Sequence, residues 1–161
     1  MSFEAPAGTR IGHVHLKVAD LDRAVNFYAN ILGMKVMQRY GSQAAFLSAG
    51  GYHHHIGLNT WESKGGQAPA PGTTGLYHTA ILYPSRQALA QALKSIVQAN
   101  WPLEGASDHG VSEAIYLRDP DGNGVEIYRD RPENEWPRDG EGNLKMVTER
   151  LDLNRLLAEA A

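Results

Sequence analysis

The chain has 161 residues, 42% hydrophobic and 20% charged, with a formal net charge of −3. That suits one soluble domain with a sizeable core and argues against a general electrostatic hold on nucleic acid or an anionic membrane. It has no cysteine, which excludes disulfides, thiolate metal sites and a cysteine nucleophile and fits a reducing cytoplasm.

No apolar run approaches the roughly 20 residues of a membrane span, and the opening MSFEAPAGTR lacks the basic-then-apolar profile of a signal peptide. The first regular element is a strand around Gly12 to Val18. Val14, Leu16 and Val18 point one way, and His13, His15 and Lys17 the other. The apolar set belongs under a helix, so the histidines face the opposite side of the sheet. Asp20 or Asp22 caps the helix that follows, Arg23 to Leu32, in which Ala24, Val25, Tyr28 and Leu32 make an apolar stripe. Short β-like runs come next: Lys35 to Arg39, Ala44 to Ser48 and Tyr52 to Thr60. In the last of these His54 shares a face with Ile56 and Leu58, while His53 and His55 take the other. Glu62 to Thr74, rich in Gly, Ala and Pro, reads as a linker.

The plan then repeats. A strand from Leu76 to Leu82 carries His78 near its start. Ser85 caps a helix from Arg86 to Ala99 with Leu89, Leu93, Ile96 and Val97 on its apolar side. Ala114 to Arg118 and Gly124 to Arg129 are β-like, and the turn Asp119-Pro-Asp-Gly-Asn-Gly124 sets up a hairpin between Tyr116 and Glu126. Val125 and Ile127 alternate there with Glu126 and Tyr128. The polar tail holds Pro132, Trp136 and Pro137 and ends in a short helix at Leu151 to Leu157, docked on the body or on a partner. The economical reading is an α+β fold of two βαβββ modules, at about 9–61 and 75–131, with a linker at 62–74 and a tail at 132–161. A carboxylate and several histidines from separate strands then project into one concavity.

Three stretches carry a resemblance: HVHLKVADLDRAVNFY at 13–28, GLYHTAI at 75–81 and DHGVSEAIYLRDPDGNGVEIYRDRP at 108–132. With them the chain resembles the vicinal oxygen chelate superfamily, which includes glyoxalase I, bleomycin-resistance proteins and extradiol ring-cleavage dioxygenases. The last two stretches resemble the catechol 2,3-dioxygenase branch most. The resemblance implies paired modules whose mixed sheets curl around a mononuclear metal. By position it implies His13, His78 and Glu126 as metal ligands, two imidazoles and a carboxylate that leave other coordination positions open. Fe(II) is the implied metal, and Mn(II) or another divalent ion suits a similar site. His54 takes the place of an acid–base catalyst, Tyr116 that of a hydrogen-bond partner to a substrate oxygen, and His109 that of a further histidine before it. The spacing of His109 to Tyr116 departs from the better-known members. His15 and His53 match no role and read as packing or surface.

Glyoxalase I adds a carboxylate from the last strand of its first module. That position falls on Ile56, or on Gly57 with a one-residue shift, and neither can ligate. The function implied is a metal-dependent extradiol-type dioxygenase acting on a catechol-like aromatic with O2. The alternatives are a glyoxalase-like isomerase or lyase, and a non-catalytic binder of small aromatics or drugs. Many extradiol enzymes hold two module pairs and this chain one. Single-pair members often dimerise, and the tail with Trp136 would supply the contact of a homodimer.

Overall fold

A computed structural model describes residues 2–160. The first half runs β1 (Val14–Lys17), α1 (Leu21–Val25), β2 (Lys35–Tyr40), β3 (Ala44–Ser48) and β4 (Ile56–Asn59). Asp20 is the helix cap; its side chain accepts from the backbone N–H of Arg23 at 2.9 Å. The helix continues from α1 into a π-helical turn, Asn26–Ile31. That wider turn lets two sequence neighbours, Phe27 and Tyr28, both enter the core with no exposed surface. Phe27 and Ile31 thereby join the stripe that helical spacing draws from Val25, Tyr28 and Leu32.

The second half repeats the order with β5 (Thr79–Leu82), α2 (Arg86–Gln98), β6 (Leu103–Asp108), β7 (Ser112–Arg118) and β8 (Gly124–Asp130). Ser85 caps α2 by accepting from the N–H of Ala88 at 3.1 Å. Val97, expected on the apolar face, is 47% exposed, because the buried side of α2 ends at Ile96 and the next residue lies about 100° around. β6 is a strand that alternation does not reveal.

The result is α+β, with two open mixed sheets in the orders β1-β4-β3-β2 and β5-β8-β7-β6-β9, where β9 is Glu149–Arg150. In each sheet the first strand runs parallel to the last strand of its half, and the other pairings are antiparallel. The apolar faces of both sheets and their helices share one core. Leu16, Val18, Ile56 and Leu58 belong to it from the first half, and Leu89, Leu93, Ile115 and Ile127 from the second.

Two polar knots fix this arrangement. The buried Tyr28 hydroxyl donates to Asp119 at 2.9 Å, while Asp121 accepts from the N–H of Ala19 at 3.0 Å and from Arg23 at 2.7 Å. The turn between β7 and β8 is thus docked on the β1–α1 junction. On the far side Glu113, only 3% exposed, accepts from Arg86, Arg129 and Arg131. The tail folds back on the body. The indole N–H of Trp136 donates to the carbonyl of Arg131 at 2.8 Å, β9 extends the second sheet, and α3 (Leu153–Leu157) buries Leu156 beside α2. Among the described residues no helix is long and apolar enough to cross a membrane.

Candidate functional site

β5 pairs with β8 in the register Thr79↔Val125 and Ala80↔Glu126. His78, one residue before β5, therefore shares a face with Glu126. The imidazole Nε2 of His78 lies 2.9 Å from Oε2 of Glu126, and the carboxylate side chain is 13% exposed. The approach of the two strands depends on Gly124, where a Cβ would collide with the backbone carbonyl of Tyr77. Tyr116 stands directly opposite Glu126 on β7, the register that the turn sequence predicts. Its ring centroid is 6.1 Å from that of His78, and its hydroxyl is 2.8 Å from Nε2 of His109. Burial, and then the charge of Glu126, push the Tyr116 pKa above its ordinary value. His109 is also tied to the tail, with Nδ1 3.0 Å from the carbonyl oxygen of Val147. Nothing in the sequence signals that link, which joins residues far apart along the chain.

The first half contributes rings. His13, just before β1, lies 4.3 Å from His54 between ring centroids, and His54 lies 5.1 Å from Phe46. The expected strand from Tyr52 does not form. β4 starts at Ile56, and residues 52–55 belong to a turn. His55 anchors that turn, its Nδ1 accepting from the N–H of Ala49 at 3.2 Å. Ile56 and Leu58 point into the core, whereas His54 reaches the other face and meets His13 and Phe46. Extending strand alternation back to His54 is what misplaces it. Loss of hydration, and then the nearby rings of His13 and His53, pull the His54 pKa below its ordinary value. The Nδ1 atoms of His53 and His54 are 2.7 Å apart.

The register also resolves the counterpart of Glu126. His15↔Gly57 in the first sheet corresponds to Ala80↔Glu126 in the second, so the position is Gly57 rather than Ile56. The His15 ring fills the space beside it, and a Cβ on Gly57 would come within 2.9 Å of that ring. His15 is held there by Asn59, at 2.9 Å from Nε2, and packs edge-on to Phe46. The residue is exposed apart from these contacts.

Of the six residues singled out in the sequence, His78, Glu126, Tyr116 and His109 lie together, and His13 and His54 form a second pair. Among the described residues no three His, Asp or Glu side chains converge as a set for one ion. The chemistry of the first group nevertheless fits a divalent cation. Two donors about 2.0–2.1 Å from one ion and at right angles stand about 3 Å apart, which is the spacing of His78 and Glu126.

The sequence model of the glyoxalase/bleomycin resistance protein/dioxygenase superfamily matches residues 10–127. Catechol-2,3-dioxygenase of Bacillus subtilis (strain 168) is 41% identical over 153 residues, covering 94% of this chain and 52% of that protein. Biphenyl-2,3-diol 1,2-dioxygenase 3 of Rhodococcus globerulus is 31% identical over 123 residues, covering 75% of this chain and 63% of that protein. The chain therefore spans between half and two thirds of the length of these relatives. The crystal structure of a glyoxalase/dioxygenase from Nostoc punctiforme superposes with a TM-score of 0.67 at 21% identity, over 82% of this chain and 99% of that one, a likeness of fold.

Proposed function

From the premise that this chain belongs to the glyoxalase/bleomycin resistance protein/dioxygenase superfamily, we propose that it is a metal-dependent extradiol-type dioxygenase cleaving a catechol-like ring with O2. The observation that carries the reading is the 2.9 Å contact of His78 with Glu126, with Tyr116 on the neighbouring strand. His78 and Glu126 would hold the ion, and His13, which stands against His54 in this structure, would have to close on it to complete the set; Fe(II) comes in first place and Mn(II) as a substitute. Bound there, it would supply open positions for both oxygens of a diol and for O2, and a route for electrons from the ring to dioxygen.

The remaining work falls to the protein. His54, with its pKa below the ordinary imidazole value, is neutral near pH 7 and able to accept a proton from a diol. With the His54 Nδ1–H donating to Nδ1 of His53, its Nε2 is the nitrogen that would accept that proton. Tyr116 hydrogen-bonds a substrate oxygen, and Phe46 offers an aromatic wall beside His54. Gly57, with the His15 ring over it, provides no second carboxylate. With no second carboxylate at that position, a set of His13, His78 and Glu126 would leave room for two guests, which suits an oxygenase better than a glyoxalase-type isomerase.

Anaerobic purification with Fe(II), elemental analysis and an oxygen electrode test this against a panel of catechols. Stoichiometric iron, oxygen uptake and a coloured ring-fission product are the expected results. Nickel or zinc with thiol-dependent turnover, or aromatic binding without metal, would refute the proposal.

A further inference from the structure

The segment beyond the family match reaches into the site. Residues 137–150 run across His109 and Gly110, and their pairing with β6 is backbone to backbone. Val147 donates its N–H to the carbonyl of His109 at 3.1 Å, and β9 continues the ladder at Asp108↔Glu149 and Ser107↔Arg150. Gly110 has φ +75°, and a Cβ on it would come within 2.7 Å of the Pro137 ring and 3.2 Å of Val147. The segment is therefore a strap pressed onto a bare stretch of backbone.

Its chemical effect falls on the His109 ring. Nδ1 lies 3.0 Å from the carbonyl oxygen of Val147, with the Thr148 hydroxyl farther away at 3.4 Å. A carbonyl oxygen only accepts, so Nδ1 carries the hydrogen. In a neutral imidazole the other nitrogen is then an acceptor. Nε2 lies 2.8 Å from the Tyr116 hydroxyl, which must donate its single hydrogen to it. The Tyr116 oxygen, on a residue that lines a cavity of about 280 Å³ with His78, then has only lone pairs left to offer a ligand.

We infer that Val147 is a positioning residue: by fixing the tautomer of His109 it makes the Tyr116 hydroxyl a hydrogen-bond acceptor. The cavity thereby selects ligands that bring a hydroxyl hydrogen to that point, a phenol rather than an ether or a carbonyl. Only the choice of a phenol as ligand rests on the dioxygenase reading. The tautomer stands on the hydrogen bonds.

The test uses the metal-free chain of residues 1–161 labelled with 15N-histidine, at about pH 8. Two-bond N–H correlation spectra identify the tautomer of each ring, and His109→Asn assigns the signals. His109 is expected in the Nδ1–H form, and Gly110→Ala, which forces the strap away, is expected to raise the Nε2–H form several-fold. An Nε2–H ring in the unaltered chain overturns the inference whatever becomes of the variant's fold, and so does an Nδ1–H ring that survives in folded Gly110→Ala. Titrations with catechol and with 1,2-dimethoxybenzene, which keeps the oxygens but lacks the hydroxyl hydrogens, read the ligand assignment. The ether is expected to bind about tenfold more weakly. An ether that binds equally well, or catechol that does not bind, removes that assignment. Failure of the dioxygenase reading shows elsewhere, as absent iron or oxygen uptake, with the His109 spectrum unchanged.

Discussion

Tyr28→Phe tests how the first half holds the turn that leads into β8. The ring stays and only a hydroxyl is removed, one that donates to Asp119 at 2.9 Å between groups 0% and 4% exposed. Asp119 keeps three other donors: the N–H groups of Asp121 and Asn123 and the side-chain amide of Asn123. A hydrogen bond to a charged group contributes about 1.5–3 kcal/mol, and with a second donor left on the same oxygen the lower part applies, about 2 kcal/mol. For a chain of this length that lowers Tm by about 4–8 °C. Burial first, and then the Asp119 charge, raise the Tyr28 pKa well above 10.0. The folded chain thus keeps a proton that the unfolded chain releases above about pH 10. The contribution is complete below that pH and is lost as pH rises toward the folded pKa. Phenylalanine has no proton to lose, so the gap between the two proteins narrows in alkali. Urea unfolding followed by circular dichroism near pH 7 and near pH 11 measures both effects. A variant within about 0.5 kcal/mol of the parent at neutral pH, or a gap that does not shrink in alkali, refutes the reasoning.

Replacement of His13, His78 or Glu126 by alanine should abolish Fe(II) binding in calorimetric titrations, whereas His54→Phe should retain the metal and slow turnover by roughly 10²–10⁴. If His54→Phe also loses metal, the division between ligand and base is wrong. Gly124→Ala should push β5 off β8, lowering stability by about 1–3 kcal/mol and weakening Fe(II) binding; a metal affinity equal to the parent's would contradict the role of that close approach. Glu113→Ala leaves three arginines facing a buried gap and should cost about 3 kcal/mol in urea unfolding, at the low end for a broken buried pair because Arg86 and Arg131 retain some solvent.

Local chemistry made much of this molecule legible. The caps at Asp20 and Ser85, the Ala44–Ser48 strand and the Tyr116↔Glu126 pairing follow from side-chain hydrogen bonding, alternation and turn composition. β6 is silent because LEGASD carries a glycine and no apolar alternation, and its strand state comes from pairing with β7. β9 has two residues and exists only as an addition to β6. The turn at residues 52–55 is hidden by histidines that look like strand residues until the hydrogen bonds of His55 are known. The partnership of His78 with Glu126 is implied by the superfamily resemblance; strand parity gives only the face a side chain occupies. It says nothing of the angle between two sheets, so the distance from His13 to that pair was beyond it.

The pairing of His15 with Gly57, set against that of Ala80 with Glu126, means that the duplicated framework is chemically lopsided. The later copy has a carboxylate where the earlier one has bare backbone beside an imidazole. On the proposed roles, variation in the turn around His54 would reshape proton handling and aromatic fit while His78 and Glu126 stay in place, so drift in one copy would offer new substrates without dismantling the other.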